Sequence, residues 1–204
     1  MNYANDRIRT VLLAGHAGAG KTTLAEALLY LTKGTDRLGR VEDGNTVCDY
    51  DPDEAKRHAS LSSAVAPVEF DGVKINLIDT PGLFDFEAGL YEGIRAAESV
   101  LIAVSARSGL SVGAQKAYQL AVKNEKARMF YVSKVDAENA DFYKVFEELK
   151  TEIGPSVCPV VVPIEQAGGR IYLNLITKKA YSYAGHGTAR QVPVPRYGHP
   201  TQGL

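Results

Sequence analysis

The chain has 204 residues, 45% of them apolar and 23% charged, which suits one globular domain with an appendage and supplies enough apolar surface for a sizeable core. Its 23 basic and 24 acidic side chains leave a net charge of −1, so no bulk attraction to nucleic acid or to an anionic membrane is implied. The two cysteines, Cys48 and Cys158, lack metal-type spacing and argue against a disulfide or a zinc site; they read as free thiols of a reducing compartment.

Met1 to Arg7 has no apolar core of the kind a secretory signal needs, and no apolar run approaches the roughly 20 residues that span a bilayer. The expectation is a cytoplasmic protein with no membrane partner. Arg9 to Ala14 then reads as a short buried strand. Gly15-His16-Ala17-Gly18-Ala19-Gly20-Lys21-Thr22 follows and fits G-x-x-x-x-G-K-[ST], the phosphate-binding loop. A helix comes next, with Leu24, Leu28 and Leu31 on one face and Gly34 as its stop. In that context successive backbone N–H groups from Gly15 through Thr23 converge on phosphate, aided by the helix N-terminus. Lys21 is the catalytic candidate, reaching the β- and γ-phosphates, and the Thr22 hydroxyl is a ligand for Mg²⁺.

Residues 35–63 form a polar segment too long for a simple connection, which marks it as functional. Two strands, Ala64 to Phe70 and Val73 to Ile78, flank the hairpin signal Asp71-Gly72, and Pro67 assigns the first to a sheet edge. The second ends at Asp79-Thr80-Pro81-Gly82, where Asp79 is expected to hold Mg²⁺ and the Gly82 N–H to meet the γ-phosphate. A helix over Phe86 to Ala97, loosened by Gly89 and Gly93, precedes a compact apolar strand over Ser99 to Ser105. Val112 to Lys126 is a helix and Arg128 to Val132 a buried strand. Asp141 to Ile153 is an amphipathic helix with Phe142, Val145, Phe146, Leu149 and Ile153 on its inner face, ended by Gly154-Pro155.

Between these last elements lies Ser133-Lys134-Val135-Asp136. An N-K-x-D run after a buried strand reads guanine, its Asp accepting from N1–H and the exocyclic amine while the Lys stem lies along the base. Adenine offers no such donor pair. Ser133 is shorter than Asn and is not expected to hold both the base edge and the phosphate loop, so guanine preference rests on Asp136. Alternating strands and helices define an α/β fold with a mostly parallel sheet and helices on both faces, a P-loop NTPase. Val157 to Ile164, Ile171 to Thr177 and Ala180 to Tyr183 begin a small antiparallel β insertion. The expected division is a GTP-binding domain over 1–154, a partial insertion over 155–184 and a flexible tail over 185–204.

Gly15–Thr22, Asp79–Gly82 and Ser133–Asp136 together resemble the G domain of translational GTPases, elongation factor G above all and its divergent bacterial paralogues. Asp79-Thr80-Pro81-Gly82 with Asp85-Phe86 is similar to D-T-P-G-H-x-D-F. Asn139-Ala140-Asp141-Phe142-Tyr143 resembles the segment after the guanine motif, and Cys158 to Ile164 the lead-in to that family's insertion subdomain. The resemblance implies GTP or GDP with Mg²⁺ as cofactors, segments near 36–62 and 79–90 that respond to the γ-phosphate, and the ribosome as partner of the full-length protein. Arg57-His58-Ala59-Ser60 aligns with its R-G-I-T switch, which makes Ser60 a third Mg²⁺ ligand beside Thr22 and Asp79.

Three departures shape the functional expectation. Leu83 stands where the family carries a water-orienting His, so GTP is expected to be bound and hydrolysed very slowly. Ser60 keeps the hydroxyl of the family's Thr without its methyl. The family's last core strand, with its guanine-contacting loop, and the C-terminal domains after it are not present in this stretch, as in an N-terminal fragment with an apolar sheet edge. The alternatives are a guanine-nucleotide switch that does not hydrolyse and a P-loop ATPase or kinase.

Overall fold

Strand β1 (Ile8–Gly15) is apolar on both faces, with Leu12 and Leu13 almost completely buried, and such a strand must lie at the centre of a sheet covered on both sides. The computed structural model, which describes residues 3–166, 168–184 and 188–195, places it there. The sheet also contains β2 (Ala64–Phe70), β3 (Val73–Asp79), β4 (Ser99–Ser105) and β5 (Ala127–Ser133), in the order β2-β3-β1-β4-β5. β1 pairs in parallel with β3 and β4, and β4 with β5. β2 is antiparallel to β3 across the Asp71-Gly72 turn and forms one edge, as Pro67 requires. β5 forms the other edge, with Met129 exposed.

The helices are α1 (Lys21–Leu31), α2 (Pro52–Arg57), α3 (Ala88–Ala96), α4 (Val112–Lys123) and α5 (Phe142–Ile153). On one face of the sheet Leu13, Ala66, Val68 and Leu77 pack with Ala25 and Leu29 of α1 and with Cys48. The inner edge of α1 is therefore Ala25 and Leu29, one turn apart, and not the predicted Leu24–Leu28–Leu31 row. Leu24 and Leu28 are half-buried and Leu31 is 69% exposed, because it lies at the last turn. α1 ends in a Schellman turn: Gly34 N–H donates to Leu29 O at 2.7 Å and Lys33 N–H to Tyr30 O at 3.1 Å, so Lys33 takes the left-handed position ahead of Gly34.

On the opposite face Gly93 explains how α3 approaches the sheet. A Cβ there would stand 2.4 Å from Leu12 Cδ1, so the glycine serves packing and is not a weak point of the helix. α4 presents Ala114, Ala117 and Ala121, all fully buried, a smooth face that lets it lie close, and Ser111 caps it by accepting from Ala114 N–H. α2 has no counterpart among the predicted elements. Its signature, Asp51-Pro52-Asp53-Glu54, is a complete capping box with proline at the first helical position.

Two compact units divide between residues 145 and 146. The second carries its own four-stranded antiparallel sheet, β6 (Val161–Gln166), β7 (Gly169–Asn174), β8 (Lys179–Ala184) and β9 (Thr188–Val192), around Ile171, Leu173 and Ala180. Val157 turns back to Gly154 O, so β6 starts at Val161 and not at 157. Thr188–Val192, read from composition as part of a flexible tail, pairs with β8 from Ala184↔Thr188 to Ala180↔Val192 and places Val192 on the small core. Residues 185–187 and 196–204, the rest of that expected tail, lie outside the described residues. Among the described residues no helix is long and apolar enough to cross a membrane. Gly93→Val forces two methyl groups against Leu12, and thermal unfolding should show a loss of about 1–3 kcal/mol, several degrees in Tm.

Candidate nucleotide site

The phosphate loop is fixed at both ends by the sheet. Gly15, at the end of β1, has φ +134°, and a Cβ there would lie 2.5 Å from Ala103 O of β4, so only glycine brings the chain this close. The loop turns through Gly18 and enters α1 at the left-handed Gly20. Lys21 leads α1 and is buried, its Nζ donating to Gly15 O at 3.1 Å and His16 O at 3.0 Å. Ala17 N–H donates to Gly82 O at 3.1 Å, which seats the turn after β3 on the loop.

β3 delivers Asp79 to the same floor. Thr22 Oγ1 donates to Asp79 Oδ2 at 2.6 Å and lies 3.3 Å from Ser60 Oγ, and Ser60 Oγ donates to Asp49 Oδ1 at 2.6 Å. Thr80 Oγ1 donates to Leu13 O at 2.8 Å and locks the strand end. Desolvation pushes the Asp79 carboxyl up to about 6, in spite of the Thr22 hydrogen bond and the nearby Lys21 charge, while Asp49 and Glu54 add to the rise. Burial lowers the Lys21 pKa against the opposing pull of Asp79 and Asp49. Asp79 Oδ1 is buried with no hydrogen-bond partner among the described residues. An unpartnered carboxylate oxygen beside two hydroxyls is an all-oxygen donor set, which suits Mg²⁺, a cation that takes one or two protein ligands together with phosphate and water.

The loop borders a cavity of about 390 Å³ lined by Ala17, Gly18, Gly20, Lys21, Thr22 and Thr23, by Asp49, His58 and Ser60, and by Gly82, Leu83 and Lys134. Leu83 is 39% exposed there and brings no hydrogen-bonding atom. His16 lies on the other side of the loop, its ring 5.9 Å from that of Phe84. Ala19 and Ser133 lie beneath: Ser133 Oγ donates to Ala19 O at 2.7 Å, and the hydroxyl does tie the β5 end to the phosphate loop. The shorter side chain therefore keeps one of the two holds expected of Asn. Lys134 lines the cavity in a left-handed conformation, whereas Asp136 is exposed and does not line it.

Sequence reasoning missed three carboxylates. Glu26 of α1, fully buried, accepts from Gly39 N–H at 3.1 Å and Val47 N–H at 2.5 Å. Glu54 accepts from Asp51, Leu61 and Ser62 N–H. Asp49 holds Ser60. Only Glu54 had a local signal, its place in the capping box; burial of the other two depends on tertiary contacts.

A glycine-rich loop between β1 and α1, a buried Asp at the end of β3 and a lysine after β5 define a P-loop nucleotide-binding protein of the α/β class. The elongation factor Tu GTP binding domain matches residues 6–195, and the chain belongs to that family. An elongation factor G-like protein of Mycobacterium tuberculosis is 35% identical over 177 residues, 87% of this chain and 24% of that protein. One of Thermotoga maritima is 36% identical over 180 residues, again 87% of this chain and 26% of the relative. A crystal structure of a Thermus thermophilus protein superposes with a TM-score of 0.87 at 39% identity, covering 93% of this chain and 28% of that one. The chain thus spans about a quarter of the length of these relatives.

The folded-state pKa of Asp79 lies above the ordinary 3.8, so the folded protein holds an extra proton between about pH 4 and 6, and stability falls as pH rises through that window. Asp79→Asn in metal-free buffer should unfold at higher temperature than the parent at pH 7.5, by about 3 kcal/mol in stability, with the difference vanishing near pH 4. Calorimetric scans across that range provide the check.

Proposed function

We propose that the chain binds GTP or GDP with Mg²⁺ as the G domain of an elongation factor G-like translational GTPase. The observation that carries this reading is the Thr22–Asp79 hydrogen bond of 2.6 Å, with Asp79 Oδ1 left unpartnered, on the floor beneath a cavity bordered by Lys21 and the phosphate loop. In this reading the loop amides and Lys21 hold the phosphates, Thr22, Ser60 and Asp79 hold Mg²⁺, and the metal supplies charge neutralisation at the β- and γ-phosphates. Gly82 N–H meets the γ-phosphate, and Lys134 and Asp136 read the base. The nucleotide-binding domain runs to about residue 154, with β6–β9 as an insertion.

We further propose, from the likeness to elongation factor G, a cytoplasmic factor whose additional domains act with it on the ribosome. Leu83 separates holding nucleotide from cleaving it. A positioned polar group contributes typically 10²–10⁴-fold, and leucine can neither donate nor accept a hydrogen bond. Hydrolysis is accordingly slow. The same exposed Leu83 favours the second reading, a guanine-nucleotide switch without useful turnover.

GDP should bind well above ADP in calorimetric titration with Mg²⁺, and Asp136→Ala should remove that preference. Equal GDP and ADP affinities would instead mean a P-loop ATPase or kinase. Leu83→His should raise single-turnover GTP hydrolysis at least tenfold. No gain, together with no measurable hydrolysis by the parent chain, would leave the non-hydrolysing switch as the better description.

A further inference from the structure

If the cavity holds a triphosphate, a water at its γ-end needs an acceptor that Leu83 does not provide. The other side chains lining the cavity can be weighed in turn. Lys21 Nζ is held by Gly15 O and His16 O and assigned to the phosphates. Thr22 and Ser60 are the proposed cation ligands, with their hydroxyl hydrogens on Asp79 and Asp49, and Asp49 carries a charge that phosphate would repel. Lys134 follows β5, at the proposed base-reading end. Glu42 would bring a negative charge toward phosphate and be repelled. His58 remains.

His58 caps α2 in the left-handed conformation, φ +52°, two residues before Ser60, and lines the cavity that Leu83 and Gly82 also line. Its Nδ1 lies 2.8 Å from Val41 O. A carbonyl oxygen can only accept, so in the neutral ring Nδ1 carries the hydrogen and Nε2 keeps its lone pair. The bond to Val41 also fixes the ring, since both its backbone and one ring atom are tied down. An imidazole that lines the same cavity as Gly82 and Leu83, with its tautomer set by a second contact, offers Nε2 as an acceptor that position 83 lacks.

We propose that His58 is the water-positioning residue of this site, acting from the 36–62 segment in place of a polar side chain at position 83. The proposal rests on the GTP reading above. In the step it serves, the water oxygen bonds to the γ-phosphorus, and the bond from that phosphorus to the β–γ bridging oxygen breaks. GDP leaves with the electron pair, and the water's protons end on inorganic phosphate. His58 Nε2 accepts a hydrogen bond from the water and aims its oxygen at phosphorus.

Single-turnover hydrolysis of GTP by the full chain, measured beside GDP and GTPγS affinities, tests this. Wild-type chain that fails to bind GDP rejects the nucleotide reading itself, before any variant is compared. With binding established, His58→Ala should slow hydrolysis at least tenfold while both affinities stay within about twofold. His58→Gln should recover part of the rate through its amide oxygen, and Leu83→His in the His58→Ala background should recover it by the other route. An unchanged rate in His58→Ala, or no measurable hydrolysis in the nucleotide-loaded wild type, overturns the proposal. So does a parallel fall of rate and affinity in both His58 variants, which would leave the side chain as no more than a latch on Val41.

Discussion

The Asp79 carboxylate sits 1% exposed at the end of a central strand, with one oxygen on Thr22 and the other without a partner among the described residues, and the surrounding architecture is arranged around that costly placement. A buried carboxylate without full hydrogen bonding destabilises the fold, and here it does so enough to push the titration of the group up to about 6. Lys21 is desolvated close by and is likewise driven toward its neutral form. Both costs have the same origin. Each charge has been moved out of water to a place where electrostatic interaction with a phosphate or a cation is far stronger than it would be in solvent. The core of β1, β3 and β4 has to be well packed to carry this, and Leu12, Leu13, Ile102 and Val104 are each at or below 1% exposure.

The polar segment between α1 and β2 solves a different problem. It contains only a short 3-10 turn (Val41–Asp43) and α2, so most of its backbone N–H groups lack a ladder partner. Two buried glutamates take their place. Glu26 reaches from α1 to Gly39 and Val47, and Glu54 gathers the turn at Leu61 and Ser62. Carboxylate acceptors make stronger hydrogen bonds than neutral ones, so a few of them can hold a long irregular stretch. Both belong to helices that begin at the site, α1 at Lys21 and α2 just after Asp49. Displacement of Gly39 or Val47 must break bonds to Glu26, which lies within two turns of the phosphate loop. This couples the segment's position to the loop without requiring a long-range route.

Much of this was legible in the sequence where the constraint is local. The glycine pattern of the loop, the Asp71-Gly72 hairpin and the two-sided apolar strands over β1 and β4 follow from backbone freedom and periodicity, and the bounds observed for β1 to β5 agree to within one or two residues. What failed depended on packing. The face of α1 is rotated because small Ala25 and Leu29 fit beneath the helix while Leu31 overhangs its end. β9 was hidden in a stretch rich in glycine and proline, where only Val192 supplies an apolar anchor and the pairing with β8 does the rest. Ser133 is expected to be too short to hold both the base edge and the phosphate loop; its hydroxyl lies 2.7 Å from Ala19 O and holds the loop.

That last contact bears on how such a site distributes its binding free energy. Ser133 stiffens the loop from below, Gly15 fixes it against Ala103 and Gly82 seats upon Ala17, so the phosphate end is shaped before any ligand arrives. Lys134 and Asp136 are exposed by contrast. A charge-assisted hydrogen bond to an exposed carboxylate competes with water and with salt, and contributes less than the same bond made in a desolvated pocket. Preorganised donors around a buried phosphate incur little ordering cost on binding. Under the proposed reading, a site built in this way would derive its affinity chiefly from the phosphate chain and its cation, and its choice of base from a smaller margin.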